Sequence, residues 1–481
     1  MQTCLTCFGL IAGLSGLVLA LPMQAQDTNV EHLLELADGK QPATAALQHF
    51  IDESEGLVEL PAGTFLLDAP LRMELPARGY RSLRGADGTT RLIVAHDGYA
   101  LEVLGDHQGT AYPPSVEDHT WEKERMPVIS GIEIVGSNAQ SDGILLRRTM
   151  KCIIRNVLIR RCRYGIHLVE RNRNVIIADS HIYDGMDTGI FLDSCDLHQV
   201  NITGNHISYN QRAGIRQFNG DVHNIQITGN DIEYNSGIAE SSGEIMLEAP
   251  AGIISEYSIT GNTVQARPEN PGGNIVITGN PVNSPYAGRT AVISGNIIGD
   301  RDLNIVLQDA CRVTIASNTI YGGKTLNLRF TKCRDILVDG NTIGTRPSTH
   351  AANDPHIDGI LLKDCVDCLI SDTILSEHFY GSQEQGGALT LVNALRCRIA
   401  DCQILSPRFR GIHIVGGMGC VVSDNTISAP DTGPYCAAIE LSGPGRAHLV
   451  QNNWICGNLP EPVVIEGDSG ISKNNFLVPC K

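Results

Sequence analysis

Basic side chains recur at matching positions of short apolar segments in the middle of the chain. Arg216, Arg329 and Lys363 lie in the segments AGIRQF, LNLRF and GILLK. A cation beside a bound carboxylate neutralises its charge, so a base removes the hydrogen on the adjacent carbon more easily. These residues therefore predict proton abstraction from an acidic substrate.

Acidic side chains lie in the same group of segments. Asp193 ends TGIFLD, and Glu244 and Glu248 lie in GEIMLE. Asp193 and Glu248 supply the two carboxylates that hydrolysis of a glycosidic bond requires. Glu244 and Glu248, together with Asn274, are oxygen ligands that suit Ca²⁺. Calcium is the one cofactor that these residues suggest, and elimination and hydrolysis both stay open.

The segments that must position these residues repeat along the chain. From about residue 130 onward, a first segment of the form Gly-Ile-x-Leu, as in DGILL and YGIHLV, alternates with a second that ends in Asn-x-Ile, as in ITGNHI and ITGNDI. The pair recurs at intervals of roughly 22–32 residues, and both segments are short and β-branched. The sequence therefore predicts an all-β fold in which parallel strands stack as the coils of a solenoid.

Alternation along the first segment predicts which side chains point outward. With the Ile and the Leu inward, the residues before, between and after them form three outward rows along successive coils. A shift of one residue would bury these rows. The expected substrate-binding residues are two phenylalanines that can stack on sugar rings and four amides: Phe191, Phe218, Asn274, Asn304, Gln308 and Asn327. The insertions at 234–242, 265–272 and 344–357 are expected to form the walls of the groove.

The segments AALQHFIDESEGLVELPAGTFLL and LRGADGTTRLI, followed by the two repeated segments, resemble the pectate-lyase-like superfamily of right-handed parallel β-helices. The resemblance covers nearly the whole mature chain. It implies a right-handed parallel β-helix with an N-terminal capping helix, and a polysaccharide as substrate or ligand. The superfamily includes lyases, hydrolases, epimerases and phage tailspikes, so the fold does not choose the reaction.

A shorter resemblance concerns Asp354-Pro355-His356, at the end of a long turn. It resembles the Asp-Pro-His motif of mannuronan C5-epimerases, which implies that Asp354 and His356 act at C5 of the sugar. The tyrosine expected three places before the aspartate is Ala351 here. A proline turn capped by an aspartate explains the same three residues without any chemistry.

Composition and the N-terminal sequence limit the possible partners and the cellular location of the protein. The net charge of -17 argues against nucleic acid or an anionic membrane as a general partner. An apolar run from about Leu10 to Leu21 predicts a signal peptide over residues 1–25 and a secreted or periplasmic protein without a membrane span. Residues 27–128 then form the cap and first coils, and residues 129–481 form the β-helix repeats.

Asparagine and cysteine recur at fixed repeat positions that we interpret as structural. The asparagines are expected to bond from coil to coil; they are Asn205, Asn230, Asn262, Asn296, Asn318, Asn341, Asn425 and Asn453. A row of buried thiols is expected from Cys311, Cys333, Cys368, Cys397 and Cys420. Cys365 and Cys368 also have a redox spacing, and a disulfide between Cys456 and Cys480 would fix the C-terminal end.

The sequence thus predicts an exported enzyme, a lyase or C5-epimerase that acts on an acidic polysaccharide. The candidate catalytic residues are Arg216, Glu248, Arg329, Lys363, His356, Asp354 and Asp193. Two alternatives remain. One is a glycoside hydrolase with an Asp/Glu pair, and the other is a non-catalytic rod that binds glycans or belongs to an envelope layer.

Overall fold

A computed structural model describes residues 30–237, 241–282, 288–344, 359–378, 380–429, 433–457 and 461–478. The predicted signal peptide, the pair Asp354 and His356, and Cys480 lie outside the described residues. No helix in the described ranges is long and apolar enough to cross a membrane.

The chain winds into a coil that places one strand in each of three parallel sheets per turn. Each strand pairs with the strands one coil before and one coil after it, as Ile166 pairs in register with Ile144 and Ile190. The predicted parallel β-helix is confirmed. We call the sheet that carries the Gly-Ile-x-Leu segments sheet 1; sheets 2 and 3 follow it along each coil.

The strand bounds show four strands that bend around a corner and belong to two sheets. Sheet 1 contains Leu71–Glu74, Gly98–Leu104, Ser141–Arg147, Tyr164–Ala178, Thr188–Thr203, Ala213–Phe218, Gly243–Glu248, Gly273–Thr278, Ile297–Gln308, Thr319–Thr331, Ile360–Lys363, Leu389–Val392, Arg410–Val415, Ala437–Ser442 and Val463–Ile465. Sheet 2 contains Leu57–Glu59, Ser82–Arg84, Val128–Ser130, Ile153–Arg155, the ends of Tyr164–Ala178 and Thr188–Thr203, Asp221–Thr228, Ile253–Thr260, Gly288–Ser294, Ala310–Ala316, Arg334–Asp339, Leu369–Ser371, Arg398–Ala400, Val421–Ser423, His448–Gln451 and Gly470–Lys473. Sheet 3 contains Asp38–Pro42, Gly63–Leu67, Thr90–Val94, Ile132–Gly136, Leu158–Arg160, His181–Tyr183, His206–Ser208, Asp231–Glu233, Thr263–Gln265, the starts of Ile297–Gln308 and Thr319–Thr331, Thr342–Gly344, Ile374–Ser376, Gln403–Leu405, Thr426–Ser428, Trp454–Cys456 and Phe476–Val478.

A helix covers the N-terminal end of the coil. Helix α1, Thr44–Glu53, buries Leu47, Phe50 and Ile51 against the first strands. Without this helix the first coil would expose unpaired strand edges and apolar surface. The predicted capping helix is therefore confirmed. Residues 30–35 are also helical, and the short helices Pro113–Ser115 and Asp118–Lys123 lie in a long loop between sheets 1 and 2.

The asparagine row forms a hydrogen-bonded ladder at the corner between sheets 2 and 3, which runs from Asn205 to Asn341 and begins again at Asn425, after Thr373 and Cys402. The side-chain oxygen of Asn230 accepts hydrogen bonds from the backbone N and the Nδ2 of Asn205, both at 3.0 Å, and Asn262 does the same for Asn230 at 2.9 and 3.0 Å. These side chains are almost fully buried, so water does not reach the backbone at the corner. Each amide instead makes the hydrogen bonds that this backbone needs. The predicted structural role is confirmed.

The five cysteines are buried as predicted, but they fall at three register positions instead of one. Leu369, Arg398 and Val421 are in register, so the cysteines before them, Cys368, Cys397 and Cys420, stack. Cys311 is level with Arg334 rather than with Cys333, so the single row of five is wrong. The five thiols, and Cys365, are free. Cys456 is disulfide-bonded, and its partner lies outside the described residues.

The row before the inward isoleucine points into a corner of the coil, so its predicted outward orientation is wrong. An added Cβ at Gly143, Gly165 or Gly189 would lie 2.1, 2.5 or 2.7 Å from a carbonyl oxygen of the next coil. The glycines are needed because the backbone turns from sheet 3 into sheet 1 there, and strand alternation does not extend through that turn.

Candidate functional site

The two remaining rows of sheet 1 are in the predicted register. Phe191 lies level with Arg216 on the next coil, and Asp193 lies level with Phe218 and then Glu248. The structure thus brings five of the predicted site residues together on three successive coils, but Phe191 is only 5% exposed, so its predicted stacking on a sugar ring is wrong. With residues from earlier coils they form what we call the aromatic acid–base cluster: Tyr99, Tyr164, His167, Phe191, Asp193, Arg216, Phe218 and Glu248.

Arg216 is held in place from three sides. Its guanidinium carbon lies 5.4 Å from the ring centre of Phe191 and 4.8 Å from that of Phe218, and its Nε donates to Glu248 Oε2 at 2.9 Å. A guanidinium between two aromatic faces is stabilised by their negative π-surfaces. Within the described chain, its two Nη groups make no hydrogen bond. Arg216 therefore offers the planar pair of donors that binds a carboxylate.

His167 links an acid to a tyrosine in the same cluster. Its Nδ1 is 2.8 Å from the hydroxyl of Tyr99, and its Nε2 is 3.6 Å from Asp193 Oδ2. The imidazole stacks on Phe191 with ring centres 5.1 Å apart and an angle of 6°. These contacts fix the ring, so its orientation is set before any ligand arrives.

Burial determines the protonation of this group of residues. Burial lowers the pKa of His167, and the charge of Asp193 opposes that shift without reversing it. Burial raises the pKa of Tyr99 to about 12. His167 and Tyr99 are therefore neutral at pH 7. His167 is buried and Tyr99 is half-buried, whereas the side chain of Asp193 is 40% exposed to solvent. The arrangement presents a carboxylate to a ligand and a neutral imidazole behind it, as transfer of a proton requires.

Arg329, Lys363 and Gln308 are exposed on sheet 1, as predicted, but they belong to later coils. Arg329 follows Arg216 in the same row after Met246, Val276 and Val306. Four coil spacings amount to about 19 Å. These three residues therefore extend the strip along which a polymer can lie, and they are not neighbours of Asp193.

The structure corrects the predicted roles of Glu244, Asn274, Asn304 and Asn327, which are all 0% exposed. Asn274 donates to Asn304 at 2.8 Å, and Asn304 donates to Asn327 at 2.7 Å, so they form a second amide ladder. They do not face a groove.

Glu244 pairs with the buried Arg301, whose Nη1 donates to Glu244 Oε1 at 2.7 Å. Burial raises the pKa of Glu244, and the charge of Arg301 opposes that shift. Glu248 instead faces outward and accepts from Arg216. The proposed calcium pair is therefore wrong, because the two carboxylates lie at opposite ends of one strand and point into different surroundings.

Sequence reasoning placed His167 in the outward row but did not select it, and it missed Tyr99 and Tyr164. Tyr99 lies 68 residues before His167 in the chain and comes from the strand Gly98–Leu104, which lacks the Gly-Ile-x-Leu pattern. The signal that was available is the aromatic character of two successive coils, because Tyr164, His167 and Phe191 fall at neighbouring positions of sheet 1.

A polar cavity of about 280 Å³ lies under the loop at 105–127 on sheet 2, away from the aromatic acid–base cluster. It is lined mainly by charged side chains and imidazoles, including Arg171, Arg173 and His198. Arg171 donates to Gly109 O at 2.9 Å, and Arg173 donates to Thr110 O. Because both arginines hold the loop, the aromatic acid–base cluster is the better candidate for a substrate site.

Comparison with known proteins identifies the fold family. The family model described as a right handed beta helix region matches residues 124–264 and 252–427. No curated protein matches the chain in sequence.

Many solved structures resemble the chain, among them these three. Two are mannuronan C-5 epimerase A-modules from Azotobacter vinelandii. One has 15% identity, covers 94% of this chain and 99% of its own, and has a TM-score of 0.40. The other has 16% identity, covers 93% and 99%, and has a TM-score of 0.41. The third, the Dettilon tailspike protein, has 15% identity, covers 84% of this chain and 66% of its own, and has a TM-score of 0.45.

Proposed function

The chain belongs to the right-handed β-helix family, and on that premise we propose that it acts on an acidic polysaccharide as a lyase or C5-epimerase through the aromatic acid–base cluster. The observation that carries the proposal is the position of Arg216. Its guanidinium lies between two phenyl faces, one coil from Asp193. A fixed cation beside an exposed carboxylate on an open strip is the arrangement that proton abstraction from a uronate needs.

Arg216 binds the uronate carboxylate through its Nη groups, while Phe218 presents a half-buried ring to a neighbouring sugar. The negative charge that develops on this carboxylate when the C5 proton leaves is then stabilised by the guanidinium. Glu248 keeps Arg216 oriented through the bond to Nε. Since this charge is largest in the transition state, the contact favours the reaction rather than mere binding.

Asp193 accepts the C5 proton, and the electron pair of the broken C–H bond passes into the uronate carboxylate. In a lyase this pair then expels the oxygen at C4, which takes a proton from a solvent water, and leaves an unsaturated sugar. In an epimerase a solvent water on the opposite face gives a proton to C5, and the proton on Asp193 passes back to solvent. The neutral imidazole of His167, 3.6 Å from Asp193, takes up or shares the proton that Asp193 receives.

Hydrolysis by Asp193 and Glu248 is less favoured. The two residues lie in one row two coils apart, about 9.6 Å between backbones, which is near the separation in inverting enzymes. However, Glu248 accepts the bond from Arg216 at 2.9 Å, and a carboxylate held in this way is a poor base for water.

The test is a panel of polyuronates incubated with the purified protein, with and without Ca²⁺. New ultraviolet absorbance from an unsaturated sugar supports a lyase, and altered uronate proton resonances at constant chain length support an epimerase. New reducing ends without that absorbance indicate the hydrolase instead. Silence across the panel contradicts the proposal and favours the non-catalytic rod.

A matched pair of variants ties any activity to the cluster. Arg216→Met removes the guanidinium and keeps an apolar side chain between the two phenyl rings. Arg155→Met makes the same change at an exposed position of sheet 2. We expect turnover to fall at least about a hundredfold in the first variant and to stay at the wild-type level in the second.

A further inference from the structure

Three potential metal ligands meet on the outer face of sheet 3, away from the aromatic acid–base cluster. Asp231 and Glu233 lie two positions apart on one strand and therefore point to the same side. His206 lies directly level with Asp231 on the preceding coil. The ligand atoms of the three side chains all lie within 4.8 Å of one another. The strand alternation and the coil register together produce this convergence.

The distances suit a small divalent ion. His206 Nε2 lies 3.6 Å from Glu233 Oε1 and 3.9 Å from Asp231 Oδ2. Ligand atoms around a tetrahedral Zn²⁺ with bonds of about 2.0–2.1 Å are about 3.3 Å apart. Each gap exceeds that value by a few tenths of an ångström, which a small rotation of an exposed side chain removes.

The site has an unused ligand atom and an excess of negative charge. His206 Nε2 is covered and has no hydrogen-bond partner. In the described ranges, His206 is the sole basic side chain within 4 Å of either carboxylate. A divalent cation would neutralise the two acidic side chains that face His206.

A second layer of residues already orients one ligand. Gln265 Nε2 donates to Glu233 Oε2 at 3.0 Å, and the hydroxyl of Tyr321 donates to Gln265 Oε1 at 3.3 Å. Glu233 is therefore held through one oxygen, and its other oxygen, Oε1, faces His206. Metal sites use such outer hydrogen bonds to fix a ligand before the ion arrives.

We propose that His206, Asp231 and Glu233 bind one divalent transition-metal ion, with Zn²⁺ the best fit, which joins two successive coils of sheet 3. An imidazole with two carboxylates suits Zn²⁺ better than Ca²⁺, which prefers six to eight oxygen ligands. The ion stabilises the rod because the coils at 206 and 231 separate on unfolding, so binding energy adds to the stability of the folded chain. Gln265 is a positioning residue for this site.

The test uses the metal-free, full-length protein and Zn²⁺ in calorimetric titrations, with Ca²⁺ as the comparison. We expect one tight Zn²⁺ per chain, little response to Ca²⁺, and a melting temperature that rises with free Zn²⁺. Co²⁺ in place of Zn²⁺ should give visible absorption bands without the near-ultraviolet band of thiolate ligands, which distinguishes this site from the cysteines.

Variants test whether Zn²⁺ binds at the proposed site or elsewhere on the protein. His206→Ala should remove the tight Zn²⁺, and Gln265→Ala should weaken it about tenfold and shift the Co²⁺ bands. Asp221→Asn is the control, because Asp221 pairs with His223 at 2.7 Å on sheet 2 outside the site and its loss should change nothing. Circular dichroism checks that each variant is folded. Absence of Zn²⁺ binding, equal binding by His206→Ala, or a Ca²⁺ affinity equal to that for Zn²⁺ would overturn the proposal.

Discussion

Replacement of Glu244 by glutamine should destabilise the rod without touching its activity. Glu244 and Arg301 are both 0% exposed, and the carboxylate accepts bonds from Arg301 Nη1 and from the N and Nδ2 of Asn235. Glutamine offers one acceptor oxygen where the carboxylate has two, and it leaves the Arg301 charge buried and unpaired. Breaking a buried pair in this way costs about 3–5 kcal/mol.

The assay is denaturant unfolding followed by circular dichroism, with turnover measured below the unfolding transition. Glu244→Gln should lower the free energy of unfolding by about that amount, whereas Glu244→Met with Arg301→Met should recover part of the loss, because neither charge is then left alone. A Glu244→Gln variant that keeps wild-type stability but loses activity would refute the structural role of this residue. It would show instead that Glu244 takes part in the reaction.

Three further outcomes follow from the structure. Asn262→Ala should cost about 1–3 kcal/mol of unfolding free energy, because it orphans buried groups of the ladder, whereas the exposed Asn201→Ala should cost little. Burial raises the pKa of Glu124 to about 8 from 4.5, so its proton stabilises the folded state below pH 4.5, and this contribution is lost as the pH rises through 8; Glu124→Gln should flatten that part of the stability profile. Among the described free thiols, Cys436 should react with a thiol reagent in the native state, and buried ones such as Cys195, whose pKa burial raises to about 12, should react after unfolding.

The fold was predictable because the residues that stabilise successive coils recur at fixed positions in the sequence. Most coils have aliphatic residues at the two inward positions of sheet 1 and an asparagine at one corner, and these residues recur visibly. Alternation fails at the corners, where the chain turns from one sheet into the next. Glu244 and Asn304 lie at such a corner, so a pattern of period two placed them outside although they are buried.

The site was predictable in part. Asp193, Phe191, Arg216, Phe218 and Glu248 fall in rows that the register alone defines. The contacts that give these residues their chemistry join distant parts of the chain, and no local spacing reveals them.

The His206 site shows the same limit. His206 and Asp231 stand at the same position after the asparagine in ITGNHI and ITGNDI, so their stacking was available in the sequence. Glu233 and its support from Gln265 depend on side-chain directions on sheet 3, which the first-segment rows did not address.

The central claim, that Asp193 performs the proton transfer on a substrate held by Arg216, is tested most directly by Asp193→Asn. The change keeps the shape of the side chain and removes its basicity. We expect kcat on the responsive polyuronate to fall by about a hundredfold or more, while the Kd for the polymer stays within a few-fold of the wild-type value. Undiminished kcat in Asp193→Asn would contradict the claim.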